Sequence, residues 1–150
     1  MGDALYHAPV SEGGPLLGEI LFRIARGILK GTPNGIRMDA TSGLVWSPNH
    51  FTWMDTYYPA GTPREGYPIE IQALWIRLLE QLHLLDSCES NSSKASESAI
   101  DTRCPNGSWG KWAQKARDHV ERLFWIEDKQ WPADLLIAPS GTPAGKALRD

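Results

Sequence analysis

The stretch PIEIQALWIRLLEQLHLL, residues 68–85, decides how this chain is expected to fold. Pro68 suits the first turn of a helix, where a missing N–H costs nothing, and Glu70 puts a carboxylate at the positive end of the helix dipole. Behind them Ile69, Ile71, Ala73, Leu74, Trp75, Ile76, Leu78, Leu79, Leu82, Leu84 and Leu85 are apolar nearly all round the helical wheel. A helix without a wide polar face is buried on most sides. The stretch therefore predicts an inner helix of a layered helical protein.

Two further helices flank it. Over residues 15–30, Leu17, Ile20, Leu21, Ile24 and Ile28 recur at three- and four-residue steps, and Gly31 and Pro33 then stop the helix. Over residues 108–125, with Ser108 as N-cap, Trp112, Ala116, Val120, Leu123 and Phe124 form a stripe opposite a charged face. Residues 31–67 are rich in Gly and Pro. They read as a long ordered loop, with GIRMDATSGLVW suited to a short hairpin turning at Asp39, Ser42 and Gly43. Residues 87–106, SCESNSSKASESAIDTRCPN, read as a mobile surface loop, and residues 131–150 as irregular. The pattern predicts an all-α chain. Three helices cannot cover residues 68–85 on every side, so the chain is expected to be part of a larger helical domain.

A net charge of −3 gives no electrostatic case for nucleic acid or an anionic membrane, and no apolar run approaches the length of a membrane span. The start, MGDALYHAPVSEGG, lacks the layout of a signal peptide, which points to a cytoplasmic protein. Cys88 and Cys104 read as two thiols in a reducing compartment, with a disulfide closing the Ser-rich segment between them as the alternative, and no cysteine–histidine cluster has zinc spacing. Neither metal nor organic cofactor is implied.

Chemistry gathers in FTWMDTYYPAGTPREGYPIEIQALW, residues 51–75. Aromatic, acid and amide groups at a loop-to-helix junction are what a sugar site needs. Asp55 follows Trp53 and Met54, which would partly desolvate it and keep it protonated, as a general acid for glycoside hydrolysis requires. The alternative is a solvated or N-capping turn residue. Glu70 serves either the helix N-terminus or sugar hydroxyls, and Arg64 either a carboxylate or hydroxyls. Gln72 needs a partner for its amide, a hydroxyl or a loop backbone group. Asp39 suits substrate or an Asx-type turn equally. Of seven tryptophans, Trp75, Trp112 and Trp125 read as core, and Trp46 and Trp53 as faces for a sugar ring.

These segments resemble the C-terminal glucosidase domain of glycogen debranching enzymes, the amylo-alpha-1,6-glucosidase family. The resemblance rests on GTPNGIRMDATSGLVW and on TWMD followed by TPR, a glycine and EIQALW. It is strong over residues 16–85 and weaker to the end. It implies a fragment of an (α/α)6 barrel, of the six-hairpin glycosidase type, with a long active-site loop. Residues 1–150 would form part of that domain, and the rest of the barrel would be its partner. It further implies inverting hydrolysis of alpha-1,6 branch linkages in an alpha-glucan. Asp55 would act as general acid, Trp53, Trp46, Thr52, Arg64, Glu70 and Gln72 would bind substrate, and the base would lie beyond residue 150. The isolated fragment is then expected to be inactive. Rival readings are another alpha-glycosidase on the same barrel and a non-catalytic carbohydrate-binding module.

Overall fold

The structure, a computed structural model, describes residues 6–52, 63–91, 102–105 and 107–150. Helix α1 spans Leu17–Lys30, α2 Ile69–Asn91 and α3 Trp109–Phe124. Glu19 reaches back to accept the Leu16 N–H at 3.0 Å, half of a capping box at the start of α1. Helix α2 runs six residues past its expected end, so the first residues of the segment expected to be a loop are helical. Ser87 tolerates this by donating its hydroxyl to His83 O at 2.8 Å. Thr102 is drawn in towards α2 by a 2.7 Å bond to Asp86, and its carbonyl accepts the Trp109 indole N–H at 2.7 Å.

The all-α expectation, and with it the barrel-fragment reading, does not hold. Among the described residues, three helices are joined by seven short strands in three small sheets. Strand β1 (Arg37–Met38) pairs antiparallel with β2 (Val45–Trp46), β4 (Trp125–Ile126) with β5 (Trp131–Pro132), and β3 (Gly66–Pro68), β6 (Leu135–Ile137) and β7 (Leu148–Arg149) form the third sheet in the order β3–β6–β7. Two or three residues are too few for an alternating pattern to register. The residue before a proline is biased to extended backbone, and Tyr67, Trp131 and Ala138 each precede one. That bias marks out strands in the very segments whose Gly and Pro content suggested irregular loop. The hairpin over residues 35–46 forms as the turn signals predict.

Helix α2 is also less enclosed than its composition suggests. Gln72, Trp75, Leu79, Leu82 and Leu85 are buried at helical spacing, but Leu74 and Leu84 are 66% and 57% exposed. The buried face meets Phe22 and Ala25 of α1, Val45 of β2 and Trp109 and Ala113 of α3 in one core. A second core lies under the sheets, where Trp46, Tyr67, Phe124 and Leu136 gather with Leu44 and Ala116. Of the tryptophans expected in the core, Trp75 is buried, whereas Trp125 is 38% exposed on the β4–β5 hairpin. No disulfide joins Cys88 and Cys104. No described helix is long and apolar enough to cross a membrane.

Candidate active site

Strand β2 and the start of α2 hold the junction that the sequence singles out. Alternate residues of a strand present their N–H and C=O to the same edge. At Val45 both groups meet the Gln72 amide: Val45 N donates to Oε1 at 2.7 Å, and Nε2 donates to Val45 O at 2.9 Å. Nε2 also donates to Pro68 O at 2.9 Å. Two residues on, Ser47 and Gly66 exchange backbone bonds of 2.7 and 3.0 Å. The chain thus leaves at Ser47 and returns at Gly66 through a closed neck. Gly66 sits at φ +136, and a Cβ there would collide with Leu136 O of β6, so only glycine fits the return.

Both sides of this excursion are tied down. On the outgoing side, Thr52 is buried. Asn49 Nδ2 donates to Glu65 Oε2 at 3.4 Å. On the returning side, Glu65 accepts the Ser140 N–H at 3.1 Å through Oε1, and its carbonyl accepts the Ala138 N–H at 3.2 Å. Arg64, 4% exposed, forks its guanidinium: one NH2 group donates to Glu70 Oε2 at 2.8 Å, the other to Asp134 Oδ2. A buried cation needs such partners. Asp134 also accepts the Ile69 N–H, the first of α2, on its backbone oxygen at 3.0 Å. Glu70 Oε1 and Asn49 Oδ1 are buried and accept no hydrogen bond among the described residues.

Trp46 is buried; its indole N–H donates to Ala138 O at 2.8 Å and the Arg37 guanidinium lies 4.5 Å from its ring centroid. Arg64, Glu70, Gln72 and Trp46 are therefore set around the neck and Thr52 is buried, whereas Trp53 and Asp55 fall in residues 53–62, outside the described residues. Residue-by-residue reading passed over Asp134, Asn49 and Glu65. Asp134 in WPADLL looks like any turn aspartate, and its partner lies 70 residues away in sequence.

Asp39 closes the neighbouring hairpin. It accepts bonds from Thr41 N (3.0 Å), Ser42 Oγ (2.7 Å) and Ala144 N (3.2 Å). Burial alone would raise its pKa, but those donors outweigh it and hold the carboxyl below its ordinary value. Tyr67, buried and close to Asp39, donates its hydroxyl to Thr142 O at 2.8 Å. Burial first, then the Asp39 charge, push that phenol up. These groups line a polar cleft of about 180 Å³ with Arg37. A wider groove of about 420 Å³ between α2 and α3 is lined by Arg77, Glu80, His83, Gln114 and Arg117, with no Trp, Tyr or Phe among its described lining residues. Among the described residues no group of three His, Cys, Asp or Glu side chains is arranged to hold a metal ion.

Comparison with curated proteins and with solved structures returned no match. A family model described as amylo-alpha-1,6-glucosidase matches residues 11–149. That match runs through the β1–β2 hairpin, the neck and the β3–β6–β7 sheet, and the chain belongs to the amylo-alpha-1,6-glucosidase family, a domain related to glycogen debranching enzymes.

Proposed function

We propose that this chain carries the acid half of an inverting glycoside hydrolase that removes alpha-1,6-linked glucosyl stubs from an alpha-glucan. The observation that carries the reading is the family match across the neck that bears the TWMD sequence, residues 52–55. In this reaction water adds to the anomeric carbon as the C1–O6 bond breaks. Asp55 gives its proton to the departing O6, and a carboxylate outside residues 1–150 takes a proton from the water. One water is consumed, and glucose and a shortened glucan are released. Trp53 and Thr52 would meet the sugar ring and its hydroxyls beside the acid.

The other proposed binding residues contribute through placement. Gln72 has its amide engaged by Val45 and Pro68, so it acts by registering β2 against α2. Trp46 and Arg64 are buried and support the walls of the site. Glu70 holds Arg64 through Oε2 from the first turn of α2, so it too contributes by anchoring the returning side of the excursion. In the full-length protein, Asp55→Asn is expected to lower glucose release from a branched limit dextrin by roughly 100- to 10,000-fold, with glucan binding retained. Unchanged release in a folded Asp55→Asn protein would remove Asp55 from the mechanism. Glucan binding without any glucose release by the unmodified protein would show a binding module.

A further inference from the structure

We propose that the polar cleft between the β1–β2 hairpin and the β6–β7 connection holds one glucosyl ring of the alpha-glucan, outside the cluster of Arg64, Glu70 and Gln72; this rests on the function proposed above. Arg37, Met38, Asp39, Ala40, Tyr67 and Pro143 are among the walls of this cleft of about 180 Å³. That is below the roughly 300–1,000 Å³ of sites for drug-sized ligands and suits a single ring. Its two sides are tied together at three points. Asp39 accepts the Ala144 N–H, Arg37 donates to Ser140 Oγ, and Tyr67 donates to Thr142 O. The site is therefore formed before a ligand arrives, which lowers the ordering cost of binding.

The charges select the ligand. Neither Arg37 nor Asp39 belongs to an ion pair among the described residues. Arg37 donates only to neutral oxygens, Gly35 O at 3.2 Å and Ser140 Oγ at 3.3 Å, while its guanidinium lies 4.5 Å from the Trp46 ring centroid. A guanidinium has five N–H groups, so donors remain. Asp39 takes one bond on Oδ1, from Thr41, and two on Oδ2, from Ser42 and Ala144. A carboxylate has about four acceptor positions, so Oδ1 keeps one. An anionic ligand would be repelled by Asp39 and a cationic one by Arg37. A sugar meets neither objection, because one hydroxyl donates to the carboxylate while its neighbour on the ring accepts from the guanidinium. Met38, Ala40 and Pro143 give the C–H face of the ring apolar contacts.

The test is calorimetric titration of maltotetraose into the full-length protein and two variants. Ala40→Leu fills the cleft and removes none of its hydrogen-bonding groups. Arg37→Gln removes the charged donors. Each is expected to weaken maltotetraose binding about tenfold or more, the scale of a lost hydrogen bond to a charged group, with a thermal midpoint within a few degrees of the unmodified protein. If Ala40→Leu does not fold, Arg37→Gln decides alone.

Unchanged affinity in either folded variant would overturn the proposal. So would binding of inorganic phosphate that Ala40→Leu abolishes, which would show an anion site. Glucose release from branched limit dextrin by an unmodified protein that does not bind maltotetraose would remove the cleft from the account and leave the proposed function standing. Neither binding nor release would defeat both.

Discussion

Gln72 offers its amide to both backbone groups of Val45 and to Pro68 O, and no described part of it is exposed. It replaces the neighbour that β2 would otherwise need on its outer edge. Gln72→Leu keeps the volume and strands two buried backbone groups, the N–H and C=O of Val45, so it is expected to destabilise by about 2–4 kcal/mol. Chemical denaturation of the purified protein measures this directly; a cost under about 1 kcal/mol would mean that Val45 finds other partners. The sequence showed that a buried amide at this place must have a partner. It did not show which, because the partner is a backbone group 27 residues upstream and backbone groups carry no sequence signature. Asp39 was open between substrate and an Asx-type turn for a similar reason. Its three donors are local or backbone groups, and they occupy both of its oxygens.

At the scale of elements, the Ser47–Gly66 bridge is the feature on which the rest depends. Gly66 combines a left-side φ of +136 with a close approach to β6. Gly66→Ala meets both obstacles at once and is expected to cost at least about 2–3 kcal/mol. A thermal melt of the variant gives the value, and a midpoint equal to that of the unmodified protein would mean that the neck is not held as described. The three long helices were legible because apolar residues recur over 14 to 23 residues, in a stripe for α1 and α3 and nearly all round the wheel for α2. The strands were not, since each offers two or three residues and is defined by its partner. The helix pattern and the family resemblance both led to an all-helical expectation that the sheets around β3 and β6 correct. The exposed Leu74 and Leu84 show why composition misled for α2: leucine on the wheel records what a helix tolerates, and burial depends on what packs beside it.

For the whole molecule, the β1–β2 hairpin and the β3–β6–β7 sheet meet at one place, where the chain departs at Ser47 and returns at Gly66, and both cores reach the strands beside it. The residues that hold this place come from the hairpin, from α2 and from the segment that contains β6. Arg64, Glu70 and Gln72 drew attention in TPR and EIQALW because side-chain chemistry and its spacing are written in sequence, while Trp53 and Asp55 of TWMD lie outside the described residues. The buttress behind them, Asp134, Ser140 and Ala138, depends on long-range return of the chain and became visible only in the structure. The account stands or falls on inverting chemistry at that place. The direct test is proton NMR of the full-length protein acting on a branched limit dextrin, reading the anomer of glucose in the first minutes. Inversion of an alpha linkage predicts beta-glucose first, relaxing later to the equilibrium mixture. Alpha-glucose as the initial product would contradict it.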